Sequence, residues 1–316
     1  MMTESMTSPT EPIAEPVAKR RKNANMLRMF LGNWKSLVGV ILFLVFVVIA
    51  VFAPLIAPYN PLSTNFTQNL APSAKHLLGT TTTGQDIFSQ FIFGTRATLI
   101  VGVGAGLIST FIGLIFGVTG GYHGGWTDNI LNFISNIFLV LPSLALLIVV
   151  ESLVKSTTPL LNGLIIGLTG WAWGARVFRA QAMSLRGREF VTAAKLSGAS
   201  SLRIMVTEII PNMTSVIASN IIFAILGAIL AESGLAFLGL ESVNSVSWGT
   251  MLYWSQSGGA LLNGAWYWFV PPGLGIALVG LSLVLMNFSI DQITNPRLRQ
   301  EQGGKRRGRK SARIGA

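Results

Sequence analysis

The stretch from Arg186 to Ser200 is RGREFVTAAKLSGAS, a polar, basic island in an otherwise strongly apolar chain. Arginine and lysine near the centre of a bilayer cost about 2.5–3.5 kcal/mol each on insertion scales, so this basic island must lie outside the hydrocarbon. Its residues nevertheless favour a helix, and it combines small side chains with one aromatic side chain. The basic island is therefore predicted to be a helix outside the membrane that docks against another surface.

The composition of the whole chain indicates a membrane protein. Of its 316 residues 51% are hydrophobic and only 11% are charged, whereas a soluble domain carries about 25% charged residues. The absence of cysteine and the presence of only two histidines argue against a disulfide framework, a thiolate site and a histidine-rich metal site, so no metal is expected. The net charge of +11 is interpreted as a determinant of membrane topology, and no nucleic acid is expected as a partner.

Six apolar segments each approach the roughly 20 residues that a helix needs to cross the hydrocarbon core. They predict an all-α integral membrane protein with six transmembrane helices. The fourth segment is the weakest, because it contains Asn162 and Arg176. The stretch from Ile229 to Leu240 either extends the fifth span or forms a short re-entrant helix. The predicted spans are about 37–57, 97–120, 129–150, 159–178, 213–232 and 267–290.

The distribution of basic residues predicts the orientation. Of the 23 lysines and arginines, only Lys75, Arg96 and Lys155 fall in the predicted outer segments. The positive-inside rule therefore places both termini and the basic island in the cytoplasm. The predicted division is a cytoplasmic basic tail (1–35), a first span with an outer segment (36–94), a core domain (95–291) with a cytoplasmic helix (189–200), and a second cytoplasmic basic tail (292–316).

The second span carries a row of glycines, several of them four residues apart. One side of this helix is then bare backbone, which permits close helix–helix approach in lipid. The row serves either an interface with a partner or packing within the chain. The run Ile87–Phe93 just before this span is amphipathic and is predicted to lie along the membrane surface. The glycines are Gly102, Gly106, Gly113, Gly117 and Gly121.

Two outer features supply candidates for lining a transport pathway. Glu232 and Ser233 lie in an apolar run, where the glutamate is either an interfacial residue, solvated or capping a helix break near Gly234, or part of a pathway. Trp248 and Trp266 belong to an outer segment rich in tryptophan, serine and glycine. Such tryptophans either form the interfacial belt or line a pathway mouth.

No motif for chemistry by this chain occurs in the sequence, and no catalytic residue is predicted. Gly303-Gly304-Lys305 is followed by Arg306 and lacks the spacing of a phosphate-binding loop, and GxSxG and HExxH are absent. A transporter without its own ATPase must receive force from a partner. The alternative is a stand-alone ion-coupled secondary carrier, which requires ionisable groups inside its spans and usually two repeated halves.

The basic island has the features of a helix that receives such force. Small side chains allow close approach to a partner and Phe190 supplies apolar area, while basic residues surround the contact. Pro211 suits the start of the fifth span, since proline is tolerated in a first helical turn. The residues that share one side of the helix by i, i+3, i+4 spacing are Phe190, Ala193, Ala194, Ser197 and Gly198.

Thr192-Ala193-Ala194, then Gly198 after three residues and Glu208–Pro211 after nine more, resembles the "EAA" signature of permease subunits of binding-protein-dependent ABC importers. Thr192 departs from the usual glutamate of this signature and Glu208 from the usual isoleucine. The resemblance implies that the helix couples partner ATPases to the spans. The residues that it assigns to this coupling are Arg188, Glu189, Phe190, Thr192, Ala193, Ala194, Ser197, Gly198 and Ala199.

A broader resemblance covers about residues 30–300 and points to the C-type permease of dipeptide, oligopeptide and nickel importers. It implies a type I ABC importer permease fold in a prokaryotic cytoplasmic (inner) membrane. The implied partners are a second homologous permease, two ATPase subunits that bind ATP and Mg, and an extracytoplasmic substrate-binding protein; no cofactor is assigned to this chain. The patterns that carry it are His76–Thr80, Gly84–Asp86, Gly94–Arg96, Gly120–Asp128, Leu141–Ser143, Glu232–Leu240, Ser247–Gly249 and Asn295–Arg299.

Two further stretches bear on the substrate. Asn287–Gln292 stands where peptide-type members usually carry a Gly-Asp-Gly-Leu-Arg-Asp-like run, and together with Leu262–Phe269 it looks closer to a branch that imports oligosaccharides. The expected cargo is therefore an oligopeptide or an oligosaccharide.

Overall fold

A computed structural model describes residues 34–153, 158–242 and 244–294; the predicted tails lie largely outside these ranges, as does Lys155. The described chain is helical, apart from turns and one isolated bridge between Thr80 and Asp86. A π-helical turn, Met205–Ile209, lies between the helix that ends at Ile204 and the helix that begins at Ile210. The helices are α1 Trp34–Val51, α2 Ala53–Ile56, α3 Ile87–His123, α4 Gly125–Val140, α5 Ser143–Ser152, α6 Pro159–Thr169, α7 Ala172–Arg186, α8 Glu189–Leu196, α9 Ser201–Ile204, α10 Ile210–Asn212, α11 Thr214–Phe237, α12 Trp248–Ser257 and α13 Trp266–Thr294.

Four described helices, α1, α3, α11 and α13, are long and apolar enough to cross a membrane, and α4 with α5 makes a fifth candidate that bends by 86°. The predicted all-α membrane fold is thus confirmed, but the six predicted spans are not six unbroken helices. The bend follows Leu141, whose ψ of 128° is extended, because Pro142 disfavours the α conformation of the preceding residue. The predicted fourth span is divided between α6 and α7, at Gly170 and Trp171.

The run Ile87–Phe93 is the beginning of α3 and not a separate surface helix, so the helix starts within the predicted outer segment 36–94. Asp86 fixes this start, since its Oδ2 accepts a hydrogen bond of 2.8 Å from the Ser89 amide. Its Oδ1 lies 2.8 Å from His76 Nδ1, and both side chains are buried. Because its first turn is capped and anchored, this run forms the beginning of α3 and is not a separate helix along the membrane surface, as its amphipathic pattern had suggested.

The glycine row of α3 packs within this chain. Gly102 and Gly106 face Ile229 and Ile225 of α11, while the three later glycines face α7. A Cβ on Gly117 would collide with the carbonyl oxygen of Ala175, and one on Gly121 would lie 2.5 Å from that of Arg179. The backbones of α3 and α7 are therefore in direct contact, which decides the open alternative in favour of packing within the chain.

Replacing Gly117 by alanine is expected to destabilise the protein by about 1–3 kcal/mol, because the added methyl group overpacks the contact between α3 and α7. Gly104→Ala is the matched control on the same helix, since its Cβ would meet nothing within 4 Å. That change should be neutral or slightly stabilising, because alanine favours a helix over glycine. Thermal unfolding in detergent measures both variants, and equal melting temperatures would contradict the packing argument.

The two ends of the bundle are distinguished by their contacts. At the α8 end, Asp128 of α4 meets Arg179 of α7. At the opposite end, called the loop end, the amide of Trp248 donates to Thr98 Oγ1 over 3.2 Å. The loop end corresponds to the predicted outer side. Here α11 extends the fifth span to Phe237, and it does not break near Gly234.

Candidate functional site

The helix α8 is held to the bundle by one side. Val191 is fully buried in an apolar cluster with Phe178 and Ile204, and Ala194 and Ala199 pack partly against the same cluster. The Lys195 ammonium lies 5.2 Å from the centroid of the Tyr122 ring. These contacts fix α8 against the ends of α3 and α7.

The opposite side of α8 is exposed and partly apolar. Ala193 lies on it about 200° around the helix from Val191, and Phe190 keeps 38% of its surface exposed. Leu196 is 85% exposed, and Leu202 of the following helix, α9, is 68% exposed. Exposed leucines beside a small residue form a surface suited to a partner, and this surface is called the docking face.

The structure places the remaining predicted coupling residues around this docking face. Arg188, Glu189, Thr192 and Ser197 are exposed, and the Arg188 carbonyl accepts the Thr192 amide at 3.1 Å. Gly198 has a φ of +77° and ends the helix, as glycine commonly does.

Ala194 and Ala199 differ from the prediction, because they point partly toward the bundle and share the side of Val191. Sequence reasoning missed Leu196 and Leu202. Val191 directly follows Phe190, so the sequence alone does not show which of these two apolar residues marks the buried side.

Polar contacts tie α7, which leads directly into α8, to its neighbours. Arg179 binds Asp128 with two hydrogen bonds, Nε to Oδ1 at 2.5 Å and Nη2 to Oδ2 at 2.7 Å. Arg176 Nη2 donates to Asn136 Oδ1 at 2.9 Å, so α4 is joined to α7 at two levels. Arg186 Nη1 donates to the Gly121 carbonyl at 3.2 Å, which joins α7 to the end of α3. A displacement of α8 would therefore be transmitted to α7, α3 and α4.

A cavity of about 280 Å³ lies between α3, α5, α6, α7 and α11. Most of its wall is apolar, and a few polar side chains interrupt it. The Thr110 hydroxyl donates to Asn220 Oδ1 at 3.3 Å, which orients that amide in the wall. An apolar cavity with few polar groups is typical of a site for a small molecule or a passage for one. Its polar and largest apolar residues include Ser109, Ser143, Leu147, Thr169, Asn220 and Phe223.

The four predicted pathway residues do not line this cavity. Glu232 is 1% exposed, and its Oε2 accepts a hydrogen bond of 3.1 Å from Ser233. It is thus neither solvated nor at a helix break. Trp248 is fully buried between Phe46 and Phe91, with ring centroids 5.6 and 5.8 Å away, so it is a core residue here. Trp266 is 58% exposed at the start of α13.

The fold and site together define the membrane-embedded component of a transport system: a bundle of apolar helices, a cavity between them and an exposed docking helix at one end. The profile of the "binding-protein-dependent transport system inner membrane component" family matches residues 109–300. The profile of the N-terminal transmembrane domain of oligopeptide transport permease C matches residues 24–72. The chain belongs to this family of inner membrane components, and it is a C-type permease of peptide ABC importers.

Individual relatives are similar to this chain over most of their length. The dipeptide transport system permease protein DppC of Bacillus subtilis is 34% identical over 272 residues, which cover 85% of this chain and 83% of the relative. The oligopeptide transport system permease protein OppC of Mycobacterium bovis is 36% identical over 231 residues, or 72% and 79% of the two chains. DppC of Haemophilus influenzae is 34% identical over 280 residues, or 86% and 93%.

Proposed function

We propose that this chain is a non-catalytic subunit that couples ATPase closure to alternating access during import of oligopeptides or oligosaccharides. The observation that carries the proposal is the docking face of α8, an exposed apolar surface on a helix fixed to the bundle by its other side. Family membership favours this function over a stand-alone ion-coupled carrier.

The proposed transmission runs from the docking face to the cavity. ATP-driven closure of the partner subunits moves α8, and the short link Gly187–Arg188 passes the movement to α7. The Asp128–Arg179 pair then carries it to α4, and the bend at Leu141–Pro142 leads to α5, whose Ser143 and Leu147 belong to the cavity wall. Rocking of helices that share a cavity would open it to one side and then to the other.

The proposed assembly contains a second homologous permease, two ATPase subunits that hold ATP and Mg, and an extracytoplasmic binding protein. No cofactor is proposed for this chain itself. The proposed location is the inner membrane with both termini in the cytoplasm, because basic residues concentrate on that side. The docking face then meets the ATPases from the cytoplasm.

Two observations bear on the substrate class. The names of the relatives refer to dipeptide and oligopeptide transport, which favours peptides. The resemblance of Leu262–Phe269 to an oligosaccharide branch keeps oligosaccharides as the second candidate. The largely apolar wall, with Asn220, Ser109 and Thr169 among its polar residues, presents no charged side chain from the described part of the chain to either cargo.

Reconstitution into liposomes tests the function. With both permeases, the ATPases and the binding protein, we expect ATP-dependent accumulation of a labelled peptide or oligosaccharide, because no single component provides both energy and passage. The control is this chain alone with an ion gradient, which should accumulate neither cargo. Accumulation by the chain alone would support a carrier and contradict the proposal.

A further inference from the structure

Buried acidic side chains from three segments meet at the loop end. Glu151 at the end of α5 is 4% exposed, and Glu232 of α11 is 1% exposed. Glu241, just after α11, is half-buried and lies close enough to interact electrostatically with both. Asn162 of α6, 3% exposed, completes the group, which is called the acidic cluster.

The hydrogen bonds of the acidic cluster are shared very unequally. Glu241 accepts three, from Asn162 Nδ2 and Ser245 at 2.7 Å each and from Ser247 at 3.2 Å. Glu232 accepts a 3.1 Å bond from Ser233 and interacts with the Ser247 hydroxyl, which Glu241 also binds, while its Oε1 has no partner within hydrogen-bond distance among the described residues.

Both carboxyl oxygens of Glu151 and the Asn162 Oδ1 likewise lack a partner within the described part of the chain. The atoms without a partner are thus all acceptors, and they are all buried.

This distribution of hydrogen bonds indicates that Glu241 is ionised, whereas Glu151 and Glu232 are neutral. A carboxylate with three donors is stabilised as an anion, as Glu241 is. A buried carboxylate with no counter-charge and with few donors, as at Glu232, or none, as at Glu151, is highly unfavourable, and such a group is normally protonated instead. A protonated carboxyl also becomes a donor, which is what the bare Asn162 Oδ1 can accept.

The surroundings offer no basic counter-charge in the described residues. The charged groups that act on Glu232 are Glu241 from the following segment and Glu151 from α5. Asn162 of α6, Ser247 beside α12 and Thr98 of α3 are neutral, and Tyr253 of α12 lies against Gly239. Arg96 of α3 is exposed and forms no salt bridge within the described ranges.

The acidic cluster caps the cavity. Glu151 follows the cavity residue Leu147 by four positions, and Glu232 follows the cavity residues Ala228 by four and Ala231 by one, so each acid lies just beyond the cavity wall on its helix. Asn162 precedes the cavity residue Ile166 by four positions on α6, which runs in the opposite direction. Three of the five helices that bound the cavity thus bring polar side chains together at its loop end.

We propose that Glu151 and Glu232 form a proton-binding site that closes the loop end of the cavity. In the closed state both are neutral carboxylic acids beside the Glu241 carboxylate. Opening admits water, each acid releases its proton to that water, and the two new carboxylates repel Glu241 and each other. The closed state therefore binds more protons than the open state, so rising pH on the loop side favours opening. This inference rests on the alternating access in the proposed function.

A cysteine reporter tests the proposal, and the natural absence of cysteine in the chain makes the label specific. Ala228→Cys places a buried thiol in the cavity wall, and the assembled importer with cysteine-free partners is treated with an impermeant maleimide from the loop side. Thiol reactivity itself rises with pH, so the rate is divided by that of Leu262→Cys, which is 92% exposed at the same end. We expect this ratio to rise about tenfold for each pH unit and proton released.

The double variant Glu151→Gln, Glu232→Gln keeps the shape of two neutral acids. In this variant the ratio of the two labelling rates should stay low and independent of pH, and the melting temperature should match that of the parent. Glu241→Gln should instead lower the melting temperature, because the NH₂ group of the new amide would face the groups that donate to the Glu241 carboxylate.

Three outcomes would overturn the proposal. The ratio of labelling rates in the parent could be independent of pH, or the double variant could fail to insert into the membrane. Alternatively, Na⁺ or Ca²⁺ alone could protect the parent thiol from the maleimide. The assay needs neither ATP nor substrate. Failure of the proposed function would appear separately, as absent ATP-dependent uptake.

Discussion

Replacing Ala193 by glutamate is expected to reduce ATP-driven uptake to below about a tenth, while membrane insertion and basal ATPase activity of the assembled importer persist. Ala193 is exposed on the docking face, opposite the buried Val191, so a larger side chain does not disturb the fold. A carboxylate brought into an apolar interface without a partner costs about 2–5 kcal/mol, which weakens the docking of α8. Uptake and ATP hydrolysis are measured together in proteoliposomes, and their ratio reports coupling.

Thr192→Glu is the matched control, because it adds the same charge at the next exposed position and restores the residue usual in the "EAA" signature. It should retain uptake. Ala194→Glu and Gly198→Glu also reduce uptake, but each affects the fold as well. Ala194 packs against the buried cluster, and Gly198 has a φ of +77° that a side chain disfavours. Normal uptake by the Ala193→Glu variant would show that the docking face is not the coupling surface.

The position of α8 was predictable because charge and composition both act locally. Basic residues exclude the stretch from the hydrocarbon, and the helix formed at Glu189–Leu196, within the predicted range 189–200. Which side docks was less predictable. With 3.6 residues per turn, Ala193 lies almost as close to Ala194 as to Leu196 around the helix, so the periodicity does not decide which of them shares its side. The burial of Val191 in the cluster that contains Phe178 decides it.

The loop end was less accessible to sequence reasoning, because its properties depend on contacts between distant segments. Glu232 was placed near a span end, but it is buried where Glu241 and Glu151 of α5 approach it. Glu241 in turn binds Asn162, which is 79 residues away in sequence. Trp248 resembled an interfacial tryptophan, yet Phe46 and Phe91 enclose it. The bend after Leu141, in contrast, was encoded by the single Pro142.

Exchanging the charges of Asp128 and Arg179 tests how force reaches the cavity. Asp128→Asn alone is expected to lower the free energy of unfolding by about 1–3 kcal/mol, since it leaves a largely enclosed guanidinium without its carboxylate. It should also lower uptake per ATP hydrolysed, because α4 then follows α7 less closely. The double exchange Asp128→Arg, Arg179→Asp should recover part of both losses. Thermal unfolding and the coupling ratio are measured on the same preparations.

Arg96→Gln is the control for removing one charged side chain away from the pair, because Arg96 is exposed at the loop end, and it should change neither the free energy of unfolding nor the coupling ratio. The two readouts separate a supporting contact from a transmitting one. If Asp128→Asn lowers stability but leaves the coupling ratio at the parent value, the pair only holds α4 in place, and force must pass through the glycine contacts of α3. If both fall and the exchange recovers both, the ion pair joins the docking face to the helix that leads into the cavity wall.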